Sequence, residues 1–183
     1  MTQLLSPPTR PRTRRLNRKL LVIVGVLVIV AGAAIWGGTA WWQAHQAAAK
    51  AAADAAAGAA ALVDGQRDVD VMNTMDFHNV DVNFQAWLNV STGALHNQLT
   101  QAESGLKQQF ATNQVVTSGR ITRVRVVSPD AAAGTATILG TEDVQLTTGK
   151  STVTQHNGFH ANLSRTPAGW RLTSYATDTI PGA

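Results

Sequence analysis

The sequence contains no cysteine. That excludes disulfides, thiolate metal sites and thiol catalysis, and leaves a chain that would tolerate an oxidising compartment. Aromatic residues are scarce, and Tyr175 is the single tyrosine, so any site pairing a phenol with an acid has one candidate phenol. Acidic residues are missing from the first 50 positions, which carry seven basic side chains, whereas positions 51–183 carry eight basic and eleven acidic ones. The net charge of +4 therefore sits in the head of the 183-residue chain. The remainder is mildly acidic, which argues against a nucleic-acid-binding domain. The length suits one ordinary domain plus an appendage.

The head reads as a membrane signal. Residues 1–19 are polar and basic, broken by Pro7, Pro8 and Pro11, with Arg10, Arg12, Arg14, Arg15, Arg18 and Lys19 clustered before a sharp edge. From Leu20 to Trp42 no residue is charged. A helix over this run would span roughly 35 Å, enough for a hydrocarbon core of about 30 Å. It opens on Leu20, Leu21, Val22, Ile23 and Val24 and carries Trp36, Trp41 and Trp42 towards its end. Terminal tryptophans suit an interfacial belt, and the basic cluster predicts a cytoplasmic N-terminus with the rest extracytoplasmic. Ala31, Ala33 and Ala34 offer a signal-peptide cleavage site, but the run exceeds a signal core and bulky tryptophans follow. Arg14-Arg15 resembles a twin-arginine signal, but Asn17, Arg18 and Lys19 follow where such signals favour apolar residues. The expectation is an uncleaved anchor at 20–42.

Residues 43–63 are dominated by alanine, the best helix former, and predict a helical stalk that doubles as the first domain helix. Lys50 and Asp54 are spaced to pair on it. Asp64-Gly65 is a candidate break, after which Val69, Met72, Met75 and Phe77 return to helical spacing. Asp81 is the expected N-cap of a short second helix holding Val82, Phe84, Trp87, Leu88 and Val90. Ser91-Thr92-Gly93 breaks the chain before a third helix with Leu95, Leu99, Leu106 and Phe110.

After Asn113 the apolar period becomes two. Val124 and Val126, Ala136 and Ile138, Phe159, Ala161 and Leu163, and Trp170 and Leu172 each alternate with polar neighbours. Four half-buried antiparallel strands follow from this, joined by turns at Ser128–Gly134, Thr148-Gly149-Lys150 and Pro167-Ala168-Gly169. Helices followed by a strand meander define an α+β domain over residues 64–183. The expected form is a nuclear transport factor 2-like, or cystatin-like, cone of helices packed on a curved antiparallel sheet.

The chain resembles the mycobacterial cell entry (Mce)-associated membrane proteins of actinobacteria along nearly its whole length. The residues that carry this are Asn73-Thr74-Met75-Asp76-Phe77 with Asp81, then Ser91-Thr92-Gly93-Ala94-Leu95, and the closing Ala168-Gly169-Trp170-Arg171-Leu172. Met75 stands where the family more often has an aromatic residue, and Leu95 where it more often has Phe. The resemblance implies a non-enzymatic envelope protein without cofactor. Such a protein would assemble or stabilise an Mce-type lipid or sterol transport complex, with the membrane and Mce-complex proteins as partners. Two alternatives share the same layout: a core component of a VirB-type secretion channel, and an extracytoplasmic cone that itself binds lipid or sterol.

Residues with chemical capacity are few. His156 and His160 are four apart but flank Asn157-Gly158 in a strand or turn, which suits solvent-facing histidines better than a metal site. Asp64, Asp68, Asp70, Asp76 and Asp81 lack the central Gly and closing Glu of a calcium loop and read as caps and a solvated face. An isomerase-like site would need Tyr175 beside a buried acid. Tyr175 alternates out of phase with Trp170 and Leu172, and nothing in the sequence draws in Asp143 or Asp178. Trp87, Phe159 and Trp170 read as core. Arg120, Arg123 and Arg125 form a basic edge on the first long strand, a guard against aggregation and a candidate partner contact.

Overall fold

The computed structural model describes the backbone of residues 18–179 and the side chains of residues 41–178. The tail arginines Arg10, Arg12, Arg14 and Arg15 lie outside the described residues. So do the side chains of Arg18, Lys19, Leu20, Leu21, Val22, Ile23, Val24 and Trp36. Among the described residues no helix is long and apolar enough to cross a membrane. The chain divides into two compact units, Met1–Ala48 and Ala49–Ala183. In the first, Trp41 and Trp42 are exposed, and the Trp41 ring meets His45 edge-on at 4.5 Å between centroids.

Helix α1 is Arg18–Met72. From Ala49 on it belongs to the second unit, where Ala57, Ala61 and Val69 are buried with Gly65 on the same stripe. Lys50 and Asp54 pair at 2.6 Å, and Asp54 also accepts the Ala131 N–H at 2.9 Å. The expected break at Asp64-Gly65 does not occur. Gly65 lies so close to the sheet that a Cβ there would stand 2.8 Å from Ile138 Cδ1 and 3.0 Å from Leu163 Cδ2. Packing at that distance offsets the intrinsic helix cost of glycine, about 1 kcal/mol against alanine. Asp64 accepts the Trp170 N–H at 2.9 Å, which ties the helix to the last hairpin.

The helix ends instead at Met72. Thr74 Oγ1 donates to Asp70 O, and the Trp87 indole N–H is shared between Val71 O at 2.9 Å and Thr74 O at 3.0 Å. The first satisfies a carbonyl that the helix terminus leaves without an intrahelical partner, and the indole adds a second donor to Val71 O, which also accepts the Thr74 N–H at 3.0 Å. Met75 and Phe77 therefore do not continue an α-helix. Met75–Asp76 forms the two-residue strand β1, and Phe77–Asn79 a single 3-10 turn capped by the Asp76 carboxylate, which accepts from His78 N–H at 2.9 Å. Helix α2, Val80–Val90, starts one residue before Asp81, so Asp81 lies in its first turn and pairs with Lys107 at 2.9 Å. Helix α3 is Gly93–Thr112. Met75, Phe84, Trp87 and Leu99 form a small core among these elements.

Four long strands follow: β2 (Val115–Val126), β3 (Thr135–Thr148), β4 (Ser151–Thr166) and β5 (Gly169–Thr179). The sheet runs β1-β2-β3-β4-β5, antiparallel throughout. The predicted meander is present, with β1 added at its edge. The β3–β4 hairpin pairs Thr148 with Ser151 around Gly149, whose φ of +61° is the conformation that the first central residue of a II′ turn requires. The three helices pack on the concave face of this curved half-barrel. There Ile138, Phe159, Ala161, Leu163, Trp170 and Leu172 are buried against α1.

Candidate functional site

Two β-bulges decide which side chains share a face. In β2, Ile121 pairs with Glu142 and Arg123 with Thr141, so Thr122 is an extra residue. A regular strand would point Arg120 and Arg123 to opposite faces. The bulge shifts the phase, and Arg120, Arg123 and Arg125 are all exposed while Ile121, Val124 and Val126 pack against the core. Among the described residues none of the three arginines is within ion-pair distance of a carboxylate. Arg123 and Arg125 flank a trough of about 610 Å³ that also takes in Leu139 and Thr141. Strand β1 pairs only with Val116 and Thr117, so among the described residues the β2 edge from Ser118 onward has no strand partner.

The second bulge lies in β5. Asn162 pairs with Ser174 and Leu163 with Leu172, so Thr173 is extra. It rotates Tyr175 into phase with Trp170 and Leu172, where Tyr175 packs on the main core and its ring stands 6.3 Å from Phe159. The Tyr175 hydroxyl lies 2.7 Å from Glu142 Oε1 and 2.9 Å from Asn73 Oδ1, and Asn73 Nδ2 lies 2.7 Å from Glu142 Oε2. Glu142 is 1% exposed. Burial pushes its carboxyl above the usual range, against the pull of the Tyr175 and Asn73 hydrogen bonds. Burial, then the neighbouring Glu142, raises the Tyr175 phenol far above its ordinary value.

The acid beside the tyrosine is thus Glu142. Asp143, on the opposite phase of β3, meets His156 Nδ1 at 2.7 Å, and Asp178 pairs in register with Gly158. His160 is exposed on β4. The stretch of aspartates is divided among local roles: Asp64 accepts from Trp170, Asp76 caps the 3-10 turn and Asp81 pairs with Lys107. Asp68 is fully buried, accepts from Arg67 at 3.0 Å, and has Arg171 Nη1 3.6 Å from its Oδ2. Trp87, Phe159 and Trp170 are buried as expected. A second groove, of about 470 Å³, opens between α1 and α2 at Arg67, Asp70 and Asn83.

Sequence reasoning missed Glu142 and Asn73. Glu142 had a signal, since it continues the inward phase of Ala136 and Ile138. Asn73 had none, because its role depends on Gly119 across the sheet, where a Cβ would overlap that of Asn73.

Three helices on a curved antiparallel half-barrel give the domain a nuclear transport factor 2-like α+β fold. Solved structures share that fold. An IcmL-like type IV secretion system protein of Legionella pneumophila superposes with a TM-score of 0.56 at 12% identity, over 66% of this chain and 91% of the other. The periplasmic domain of DotI gives 0.56 at 15% identity, over 67% and 95%. The VirB8 protein of Agrobacterium tumefaciens gives 0.53 at 13% identity, over 68% and 94%. No protein-family model matches the chain, so the Mce-associated resemblance is not joined by a family assignment, and no curated protein sequence matches it.

Proposed function

We propose that this chain is a single-pass, non-enzymatic scaffold of the cell envelope. Its extracytoplasmic domain would dock within a secretion-type membrane complex, as a component of the VirB8 kind. The observation that carries this reading is the likeness to the periplasmic domain of DotI over 95% of that domain's length. The uncharged run 20–42 behind its basic cluster supplies the anchor, with the N-terminus cytoplasmic. An anchor confines the domain to a plane and raises its effective concentration for membrane partners. Attraction of the basic tail to anionic inner-leaflet lipid adds to this. Arg120, Arg123 and Arg125 are the contact we assign to an acidic surface of a neighbouring subunit. The acid–phenol pair does not recommend an enzyme, because Glu142 is buried and both described grooves open elsewhere.

A second reading is favoured by the stretch Asn73-Thr74-Met75-Asp76-Phe77 and by Ser91-Thr92-Gly93. It makes the chain an accessory of an Mce-type lipid or sterol transport complex. Mild-detergent capture of the tagged full-length protein from its native membrane, followed by mass spectrometry, separates the two. Recovery of secretion-channel components supports the first reading, and recovery of Mce proteins with their permease supports the second. Repeated recovery of the protein alone after crosslinking overturns both, and lipid co-purifying with that lone protein would point to the cone as a lipid binder.

A further inference from the structure

The contacts among Asn73, Glu142 and Tyr175 form a closed ring of three edges. Each edge joins two electronegative atoms at 2.7–2.9 Å and so needs one proton between them. The Tyr175 hydroxyl has one proton to give. Asn73 turns its amide N–H to one neighbour and its carbonyl to the other, so it contributes one proton to the ring. The third must come from the carboxyl. With Glu142 protonated on Oε1, its O–H donates to Tyr175, the Tyr175 O–H donates to Asn73 Oδ1, and Asn73 Nδ2–H donates to Glu142 Oε2. Reversing the amide leaves the count unchanged. Nδ2–H then donates to Tyr175, Tyr175 donates to Glu142 Oε1, and Glu142 Oε2–H donates to Asn73 Oδ1. The conclusion is independent of which way the amide is drawn. An ionised Glu142 would leave two oxygens facing each other in either case.

The surroundings favour the neutral form. Register places uncharged Ile121 of β2 and Asn157 of β4 beside Glu142, and Tyr175 comes from β5. From α1 the charged group facing it is Asp70, whose like charge opposes ionisation. No cation answers from these elements among the described residues. Asn157 is itself buried, and its Oδ1 has no hydrogen-bond partner among the described residues.

The ring joins three elements distant in sequence: the residue after α1, the middle of β3 and the far end of β5. We propose that Glu142 carries a proton at neutral pH, and that this proton closes a latch holding the end of α1 to β3 and β5, which opens as pH rises. The latched state binds one more proton than the unlatched one. Its advantage is complete below the ordinary carboxylate range and is lost as pH rises towards the folded-state value.

The test uses the full-length protein in detergent micelles. Glutamine reproduces the proton pattern of a protonated glutamate, with its N–H₂ in place of the acid O–H, so E142Q keeps the ring and removes its titration. The infrared difference between wild type and E142Q at neutral pH should show the carbonyl stretch of a protonated carboxylic acid. Carboxyl carbon NMR of the wild type reads the same state without any variant. Hydrogen exchange of the Val71–Thr74 amides, taken as a ratio to E142Q at each pH, cancels the chemical pH dependence of exchange. Protection in the wild type should fall by about tenfold per pH unit between the ordinary and the raised carboxyl value. An ionised carboxylate at neutral pH in folded protein overturns the proposal. So does a protonated one with exchange profiles that superpose on those of E142Q. Neither result bears on which complex the protein joins.

Discussion

Gly119 and Asn73 occupy the same space to within a methyl group: a Cβ on Gly119 would overlap Cβ of Asn73. The missing side chain on β2 is what lets the residue after α1 sink far enough to reach Glu142 on β3 and Tyr175 on β5. Gly119→Ala should therefore destabilise the domain by about 1–3 kcal/mol, the usual cost of forcing an extra carbon into a packed site. Urea denaturation followed by tryptophan fluorescence would measure it. A variant as stable as the wild type would show that the approach has slack.

Tyr175→Phe keeps the ring packed near Phe159 but removes the hydroxyl that serves two edges of the polar ring. Two buried oxygens then lose their partner, and the expected loss is about 1–3 kcal/mol. Wild type, Tyr175→Phe and Glu142→Gln should rank so that the glutamine variant lies close to wild type and the phenylalanine variant well below. Thermal unfolding at one fixed pH below the ordinary carboxylate range, where wild type has its full proton-linked stability, is sufficient to see the order.

Trp87 both fills the helical core and caps α1, through one indole N–H shared between Val71 O and Thr74 O. Trp87→Phe retains an aromatic ring and loses the donor. A cost of about 1–3 kcal/mol is expected, from the lost indole donor and the volume lost, Val71 O keeping the Thr74 N–H. Its distinguishing sign is local, with faster amide exchange at Asn73 and Thr74 than at the centre of α2.

Arg123 and Arg125 make no ion pair among the described residues and line an open trough. The double charge reversal Arg123→Glu with Arg125→Glu should leave stability within about 0.5 kcal/mol, as is usual for surface positions. It should sharply reduce recovery of partners in the capture experiment, and the wild-type recovery should weaken with added salt. Undiminished capture would remove these arginines from the interface.

Much of the architecture was legible in one dimension. The change of apolar period after Asn113 announced the strands, and Gly149 and the Pro167–Gly169 turn marked their ends. The alanine stretch announced α1, because alanine favours helix whatever surrounds it. The breaks were harder. Asp64-Gly65 has the composition of a helix end but lies inside α1, since the sheet holds the backbone there through Ile138 and Leu163. Asp81 has the chemistry of an N-cap, yet Asp76 caps the 3-10 turn that leads into α2 and lets the helix begin at Val80.

The sequence by itself determined the order of the long elements, the basic and apolar head, most of the inward positions of the strands and the three arginines. These follow from local propensity and periodicity, which each segment carries with it. Only the tertiary structure decided which residues meet. A single inserted residue in β2 brings Arg120 to the same face as Arg123, and another in β5 turns Tyr175 from outside to inside. Side chains alternate with period two, so one extra residue reverses every assignment beyond it. The bulge itself is chosen by the pairing of whole strands and leaves no local mark. The polar ring of Asn73, Glu142 and Tyr175 is the product of one such slip combined with one absent Cβ.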